Sequence, residues 1–216
     1  VITHLVTVSC TGFAAPGVDI RLTKELGLSP SVERTHVGFM GCHGALNGLR
    51  VASALAAQDP RARVLVCAVE LCSLHFRYGW HEQGLVANAL FADGAAACVV
   101  GQTASGGLRL RATGSCLLPE SEEAMDWRIG DHGFEMRLDP SVPELISQQL
   151  RPWLAGWLAA REVTIEQVGS WAIHPGGPRI LRSVVAGLGL PEEATDVSRE
   201  ILARYGNMSS PTVLFI

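Results

Sequence analysis

Gly38-Phe39-Met40-Gly41-Cys42-His43-Gly44-Ala45-Leu46-Asn47-Gly48-Leu49-Arg50 is the stretch on which the reading of the fold turns. It closes a short β-rich run, Thr35 to Met40, and opens a helical pattern from Cys42 to Gln58 that stops at Asp59-Pro60. Gly44, Gly48, Ala52 and Ala56 fall four apart, so one face of that helix carries only small side chains. Such a face suits a helix packed tightly inside a protein. Cys42 stands at the helix start, where partial positive charge and free N–H groups favour thiolate over thiol. Gly41 and Gly44 leave the approach to it open. Taken alone, Cys42 reads equally well as a small buried residue.

Upstream, His4 to Cys10 is a β-rich run and Val18 to Leu28 a helix ended by Gly27 and Pro30. Downstream, strands are predicted at Val64–Val69, Ala95–Gly101, Leu108–Cys116 and Ser170–His174. Helices are predicted at Pro143–Ala160, Pro178–Gly187 and Ser198–Tyr205, with another beginning at Ser209. Strands alternating with helices indicate a layered α/β fold. The run Gln102-Thr103-Ala104-Ser105-Gly106-Gly107 marks the boundary between two parts.

The 216 residues suffice for one large domain or two small ones, and 48% apolar with 18% charged residues excludes a disordered chain. A net charge of -4 gives no footprint for nucleic acid or an anionic membrane. The six cysteines form no C-x-x-C motif and no compact disulfide framework, which points to the reducing cytoplasm. His43 beside Cys42 has no second Cys/His pair at zinc spacing, so no metal is expected. No run reaches the length of a membrane span, and no charged-then-apolar leader is present. The chain opens on the apolar run Val1-Ile2-Thr3-His4-Leu5-Val6 and closes on Thr212-Val213-Leu214-Phe215-Ile216. Natural termini are rarely buried runs, so the chain is expected to be a fragment.

Two further segments carry chemistry. In Trp171-Ala172-Ile173-His174-Pro175-Gly176-Gly177-Pro178 an imidazole ends a strand and the glycines after it leave room for a substrate arm. Without other signals, a histidine before Pro-Gly is more often a turn residue. In Tyr205-Gly206-Asn207-Met208-Ser209-Ser210-Pro211 the Gly-Asn pair is turn chemistry, and Ser209 or Ser210 caps the next helix. A rigid turn before a capped helix also fixes an amide well. A cysteine, a histidine and an asparagine together make an acyl-accepting thiolate and an oxyanion site.

In this order and with these flanks, the three segments resemble the type III polyketide synthases, the chalcone-synthase-like branch of the thiolase fold. The resemblance runs from near Val8 to Ile216. It implies an α/β, thiolase-like fold layered α-β-α-β-α, with residues 1–101 as the remainder of the half carrying the nucleophile and 108–216 as the half carrying histidine and asparagine. Against the family's usual length, roughly the first third and a C-terminal strand segment are missing.

The resemblance implies that Cys42 takes a starter acyl group from an acyl-CoA as a thioester. His174 keeps the thiolate charged as an ion pair, and His174 with Asn207 binds the malonyl-CoA carbonyl during decarboxylative condensation. It implies no cofactor beyond coenzyme A thioesters as substrates, and a homodimer in the full-length enzyme. Phe91 matches the family's gatekeeper phenylalanine, and Met136 stands where plant enzymes carry a second one. Methionine is the more adaptable side chain and admits a longer acyl chain.

Cys10, Cys72 and His75 fall where plant chalcone synthases carry threonines, and Trp127 where they carry glycine. Glu70 and Ser209 match residues near the cyclisation site. These departures favour a pyrone, resorcinol or naphthalene product over a plant-type one. Gly176, Gly177 and Arg179 fall where coenzyme A passes, although an arginine at a helix start is more commonly just solvated. Ala15 replaces a methionine that reaches the partner subunit's cavity in plant enzymes. Two rival readings are a 3-oxoacyl-carrier-protein synthase III-like enzyme, which needs a basic docking patch, and a catalytically silent thiolase-like fragment.

Overall fold

A computed structural model describes residues 1–80, 82–102, 106–131 and 133–216. Thr103, Ala104 and Ser105, in the boundary run between the two parts, lie outside the described residues. The chain forms two compact units. One comprises Val1–Cys72, Ala92–Thr113 and Met208–Phe215; the other comprises Ser73–Phe91, Gly114–Asn207 and Ile216.

The first unit is built on a four-stranded sheet of β1 (His4–Ser9), β2 (Glu33–Gly38), β3 (Arg63–Glu70) and β4 (Gly94–Gly101), in the order β2-β1-β3-β4. β1 runs parallel to both β2 and β3, and β4 is antiparallel to β3. The helix α1 (Val18–Glu25) precedes β2, and α2 (Gly44–Gln58) links β2 to β3. β1 is apolar on both faces, as a central parallel strand must be: Leu5, Val6, Thr7 and Val8 are all buried. Val6, Val8, Val64, Val66 and Ala68 form one core with Ala45 and Ala52 of α2.

The small-residue face explains how close α2 comes. A Cβ added at Gly44 would lie 2.8 Å from Val8 Cγ1, and one at Gly48 would lie 2.8 Å from Val8 Cγ2 and 3.2 Å from Val66 Cγ1. Gly44, Gly48, Ala52 and Ala56 are all buried. The predicted helix therefore holds, except that its first two residues, Cys42 and His43, belong to a separate 3-10 turn, Gly41–His43. A second short 3-10 stretch, Ser210–Leu214, stands where a new helix was predicted from Ser209, and its Val213 and Leu214 pack on this same core.

The second unit contains α3 (Glu82–Leu90), the hairpin β5 (Met125–Gly130) and β6 (Gly133–Leu138), α4 (Val142–Ala159), α5 (Pro178–Leu188) and α6 (Asp196–Tyr205). Leu158, Ile165, Val184 and Leu188 centre its core. α4 and α5 cross closely at Gly187, where a Cβ would lie 2.9 Å from the Ser147 carbonyl oxygen.

Sequence reading missed the hairpin. Its register sets Asp126 opposite Arg137 and Arg128 opposite Glu135 on one face, with Trp127 opposite Met136 on the other. On the charged face Arg128 Nη2 meets Asp126 Oδ2 at 2.7 Å along β5, and charged positions alternating with apolar ones leave no continuous apolar run to detect. Conversely, Leu108–Cys116 and Ser170–His174, both predicted as strands, are not strands here. Their sequences suit an extended backbone, but among the described residues no strand pairs with them. Among the described residues no helix is long and apolar enough to cross a membrane.

Candidate active site

In the first unit, β2 ends at Gly38 and the chain reverses through Phe39, at φ 56°, and Gly41, at φ 64°. Left-handed backbone suits glycine and strains phenylalanine, a kind of strain that clusters at functional sites. The turn delivers Cys42, half-buried, one turn ahead of α2. His43 beside it is held below its usual pKa by partial burial and then by the Arg50 charge.

At the end of β3, Glu70 is fully buried. Its Oε2 accepts hydrogen bonds from the Cys10 backbone N–H at 2.9 Å, the Thr11 hydroxyl at 2.8 Å and the Ser9 hydroxyl at 3.4 Å. Its Oε1 accepts from the Ser210 hydroxyl and, at 3.4 Å, from the Cys10 thiol. Cys10 Sγ also lies 3.7 Å from Ser209 Oγ, and Ser209 itself adopts φ 57°. Three expected residues, Cys10, Glu70 and Ser209, thus share one network.

Ser9, Thr11 and Ser210 belong to that network and were not singled out by sequence. The signal available was a glutamate closing the apolar run Val64-Leu65-Val66-Cys67-Ala68-Val69, because a buried carboxyl group requires donors. Burial, and then Glu70, push the Cys10 thiol up to about 12. The same two causes in the same order push Cys72 up to about 12. Both therefore stay protonated at neutral pH and do not compete as nucleophiles.

In the second unit, the loop Ser170–Gly177 leads into α5 and carries His174. The Gly176 N–H donates to the His174 carbonyl at 3.0 Å. Both ring nitrogens of His174 are buried and meet no hydrogen-bond partner among the described residues. Burial pulls its pKa down to about 4.

Asn207, 1% exposed, donates its backbone N–H to the Leu90 carbonyl at 2.8 Å and pairs with Phe91 in an isolated parallel bridge. Its Nδ2 donates to the Gly176 carbonyl at 3.4 Å. The expected residues His174, Gly176, Asn207 and Phe91 are thereby brought together. Gly177 packs on Leu90, which a Cβ there would meet at 3.5 Å. Arg179, the second residue of α5, is exposed. A cavity of about 570 Å³ lies beside α5 and α6, lined by Leu90, Pro178, Leu181, Arg182, Arg199 and Leu202 among others, and none of the expected site residues is among its lining.

Met136, Trp127 and His75 form a second cluster in this unit. Trp127 pairs with Met136 across the hairpin, and the His75 and Trp127 rings meet edge to face at 5.2 Å.

Two family models together cover the chain, divided between residues 104 and 109 rather than along the boundaries of the two compact units. Residues 1–104 match the family of chalcone and stilbene synthases, N-terminal domain, and residues 109–216 match the C-terminal domain. The alpha-pyrone synthesis polyketide synthase-like Pks18 of Mycobacterium tuberculosis is 36% identical over 98% of this chain. The 1,3,6,8-tetrahydroxynaphthalene synthase of Streptomyces peucetius is 38% identical over 97%. The chain spans 56% and 57% of the length of these two relatives. Among solved structures, PKS-I of the brown alga Ectocarpus siliculosus superposes with a TM-score of 0.91 at 36% identity, over 99% of this chain and 58% of that one. The 1,3,6,8-tetrahydroxynaphthalene synthase of Streptomyces coelicolor, a bacterial type III polyketide synthase, superposes with a TM-score of 0.93 at 31% identity, over 99% of this chain and 62% of that one.

Proposed function

Because the chain belongs to the family of chalcone and stilbene synthases and shares their thiolase fold, we propose that the full-length protein is a type III polyketide synthase. It extends an acyl group held on Cys42 by decarboxylative condensation with malonyl-CoA. In the first step the Cys42 thiolate attacks the acyl-CoA thioester carbonyl, and the coenzyme A thiolate leaves. Malonyl-CoA then loses carbon dioxide, and the electron pair of the broken C–C bond forms an enolate. His174 and Asn207 hold the enolate oxygen. Its carbon attacks the Cys42 thioester, Cys42 leaves as thiolate, and the product is longer by one two-carbon unit.

The observation that carries this reading is the anchoring of Asn207. Its backbone is fixed at Leu90 and its amide at Gly176, two residues from a histidine whose ring nitrogens are buried and meet no partner among the described residues. Donors held this firmly before substrate arrives stabilise developing oxyanion charge by about 3–4 kcal/mol each.

The proposed ion pair of His174 with the thiolate has a quantitative requirement. Burial lowers His174 from 6.5 to about 4. A thiolate within about 4 Å, at an effective dielectric near 20, returns about 4 kcal/mol, or roughly three pK units. The two effects nearly cancel, so His174 is cationic only while its partner is charged and is a neutral donor once Cys42 is acylated.

Coenzyme A thioesters are the only other species the reaction requires. Gly176 and Gly177 leave space for the pantetheine arm, and the exposed Arg179 suits its phosphates. Residues 1–101 act as the nucleophile half and 108–216 as the half supplying histidine and asparagine, and the enzyme works as a homodimer. The relatives' products, an alpha-pyrone and tetrahydroxynaphthalene, suggest a pyrone, resorcinol or naphthalene product here. Phe91 and Met136 then bound the cavity, and the Glu70–Cys10–Ser209 network borders the cyclisation site. The test is to incubate the full-length protein with malonyl-CoA and a panel of acyl-CoA starters and identify products by mass. Polyketides from wild type and none from Cys42→Ser are expected. No product from any starter, or equal product from the variant, sinks the reading.

A further inference from the structure

His75 closes the 3-10 turn Cys72–His75 beyond the end of β3. Its Nδ1 accepts the backbone N–H of Phe134 at 3.0 Å, at the start of β6. In that role Nδ1 carries no proton. The imidazole stacks flat on the Phe134 ring, 4.5 Å between centroids and 6° between planes. Trp127, from β5, meets both rings edge-on: at 5.2 Å and 85° for His75, and at 5.7 Å and 82° for Phe134.

Gly133 has φ 133° and lies against the same imidazole, where a Cβ would come within 3.1 Å of Nδ1. The backbone of the hairpin therefore reaches His75 with no room for a side chain between them. Trp127 pairs in register with Met136, so both faces of the contact lead to the side chain proposed to wall the cavity.

A two-stranded hairpin is marginal by itself and takes its position from what holds it. Among the described residues α3 also packs on β6, Arg77 Nη1 lies 3.5 Å from Glu135 Oε2 and Arg137 Nη1 lies 3.3 Å from Glu123 Oε2, but these ion pairs are largely exposed and exposed ion pairs hold weakly. The His75 contact combines a hydrogen bond, a ring stack and an edge contact, all partly buried.

We propose that His75 is a positioning residue: it pins the β5–β6 hairpin by accepting the Phe134 N–H, and so sets where Met136 stands and how long a chain the site builds. The proposal rests on the polyketide synthase reading for its consequence, though not for the tether itself.

Two substitutions in the full-length protein separate the parts of the contact. His75→Phe keeps the stack and loses the acceptor, whereas His75→Asn loses the stack and keeps an acceptor. Two readouts are taken: amide hydrogen exchange across Gly133–Leu138, and the ratio of short to long products from malonyl-CoA and an acyl-CoA starter. His75→Phe should speed exchange about fivefold and shift the product ratio by about as much, the scale of one lost hydrogen bond, with His75→Asn near wild type in both. Unchanged exchange in His75→Phe, identical behaviour of the two variants, or faster exchange with an unchanged product ratio overturns the proposal. A wild-type protein that makes no polyketide at all removes the functional reading instead, and the exchange measurement still decides whether His75 holds the hairpin.

Discussion

Glu70 and the ring nitrogens of His174 are both buried polar groups, and the protein treats them in opposite ways. Five donors converge on Glu70: Ser9, Cys10 twice, Thr11 and Ser210. None reaches either ring nitrogen of His174 among the described residues. A buried polar group normally finds partners, because leaving one unmade costs about 1–3 kcal/mol. The saturated group is therefore scaffold: it ties the ends of β1 and β3 to the Ser209–Ser210 turn. The unsaturated one keeps its hydrogen-bonding capacity unused among the described residues, which is what the substrate-binding role proposed for it requires.

The widest separation this contrast predicts is among the thiols. Cys10 and Cys72 sit by Glu70 with pKa values pushed to about 12, so at pH 8 about one in ten thousand of each is thiolate. An ordinary thiol is about a quarter ionised there. Cys42, at the start of α2, should therefore react with iodoacetamide more than a thousandfold faster than either. Exposed Cys116 will label too, and prior loading with an acyl-CoA should protect Cys42 alone. Peptide mapping that finds Cys10 or Cys72 modified at a rate near that of Cys42 breaks the distinction between scaffold and site.

Next in size is the cost of emptying the saturated network. Glu70→Ala leaves several buried donors without an acceptor and should lower unfolding stability by about 3–5 kcal/mol, read as the urea midpoint. Glu70→Gln keeps one acceptor oxygen but turns an N–H toward the donors, and should fall between the two. A Glu70→Ala protein as stable as wild type means the network is not structural.

These residues also show what the sequence made legible. The α2 face was readable because Gly44, Gly48, Ala52 and Ala56 obey a local period, and local periods survive in one dimension. Cys42, His174 and Asn207 were singled out by their glycine flanks, and the structure brings His174 and Asn207 together through Gly176. The donors on Glu70 were not, because Thr11 stands 59 residues away and Ser210 stands 140. The same holds for strands: Ser170–His174 has strand composition, but a strand exists only where a distant segment pairs with it. The hairpin failed for the reverse reason. Its pairing is local, yet its charged and apolar positions alternate over only six residues in each strand, too short a pattern to stand out, and the Asp126–Arg128 ion pair lies along β5 rather than across the ribbon.

Removing the unsaturated group should leave the fold intact and slow the reaction. His174→Ala in the full-length protein is expected to lower kcat about a hundred- to a thousandfold, the usual effect of losing one oxyanion donor, with stability unchanged or raised. Asn207→Ala should match it in rate but also lose stability, since its amide is tied to Gly176. A His174→Ala protein that unfolds as readily as Glu70→Ala would make the histidine scaffold after all.

The smallest effect, and the one that separates the two buried groups by pH alone, comes from linkage at His174. Its folded pKa is about 4, against about 6.5 for an unfolded histidine. The unfolded state therefore binds more protons throughout the interval, and stability must rise with pH across it. The contribution is fully present above about pH 6.5. It falls as the unfolded histidine begins to take up protons, and is lost by about pH 4, where the folded one does so as well. A shift of this size corresponds to about 3 kcal/mol. Other groups titrate in the same range, and a Cys42 thiolate would itself hold His174 charged, so the informative quantity is the difference between Cys42→Ser and Cys42→Ser/His174→Gln, the second of which cannot protonate at this position. Urea midpoints from pH 7 to pH 4 should converge or cross, with Cys42→Ser losing the larger share. Parallel curves would mean that His174 is protonated in the folded protein well above pH 4 without the thiolate, held charged by another anion close to its ring.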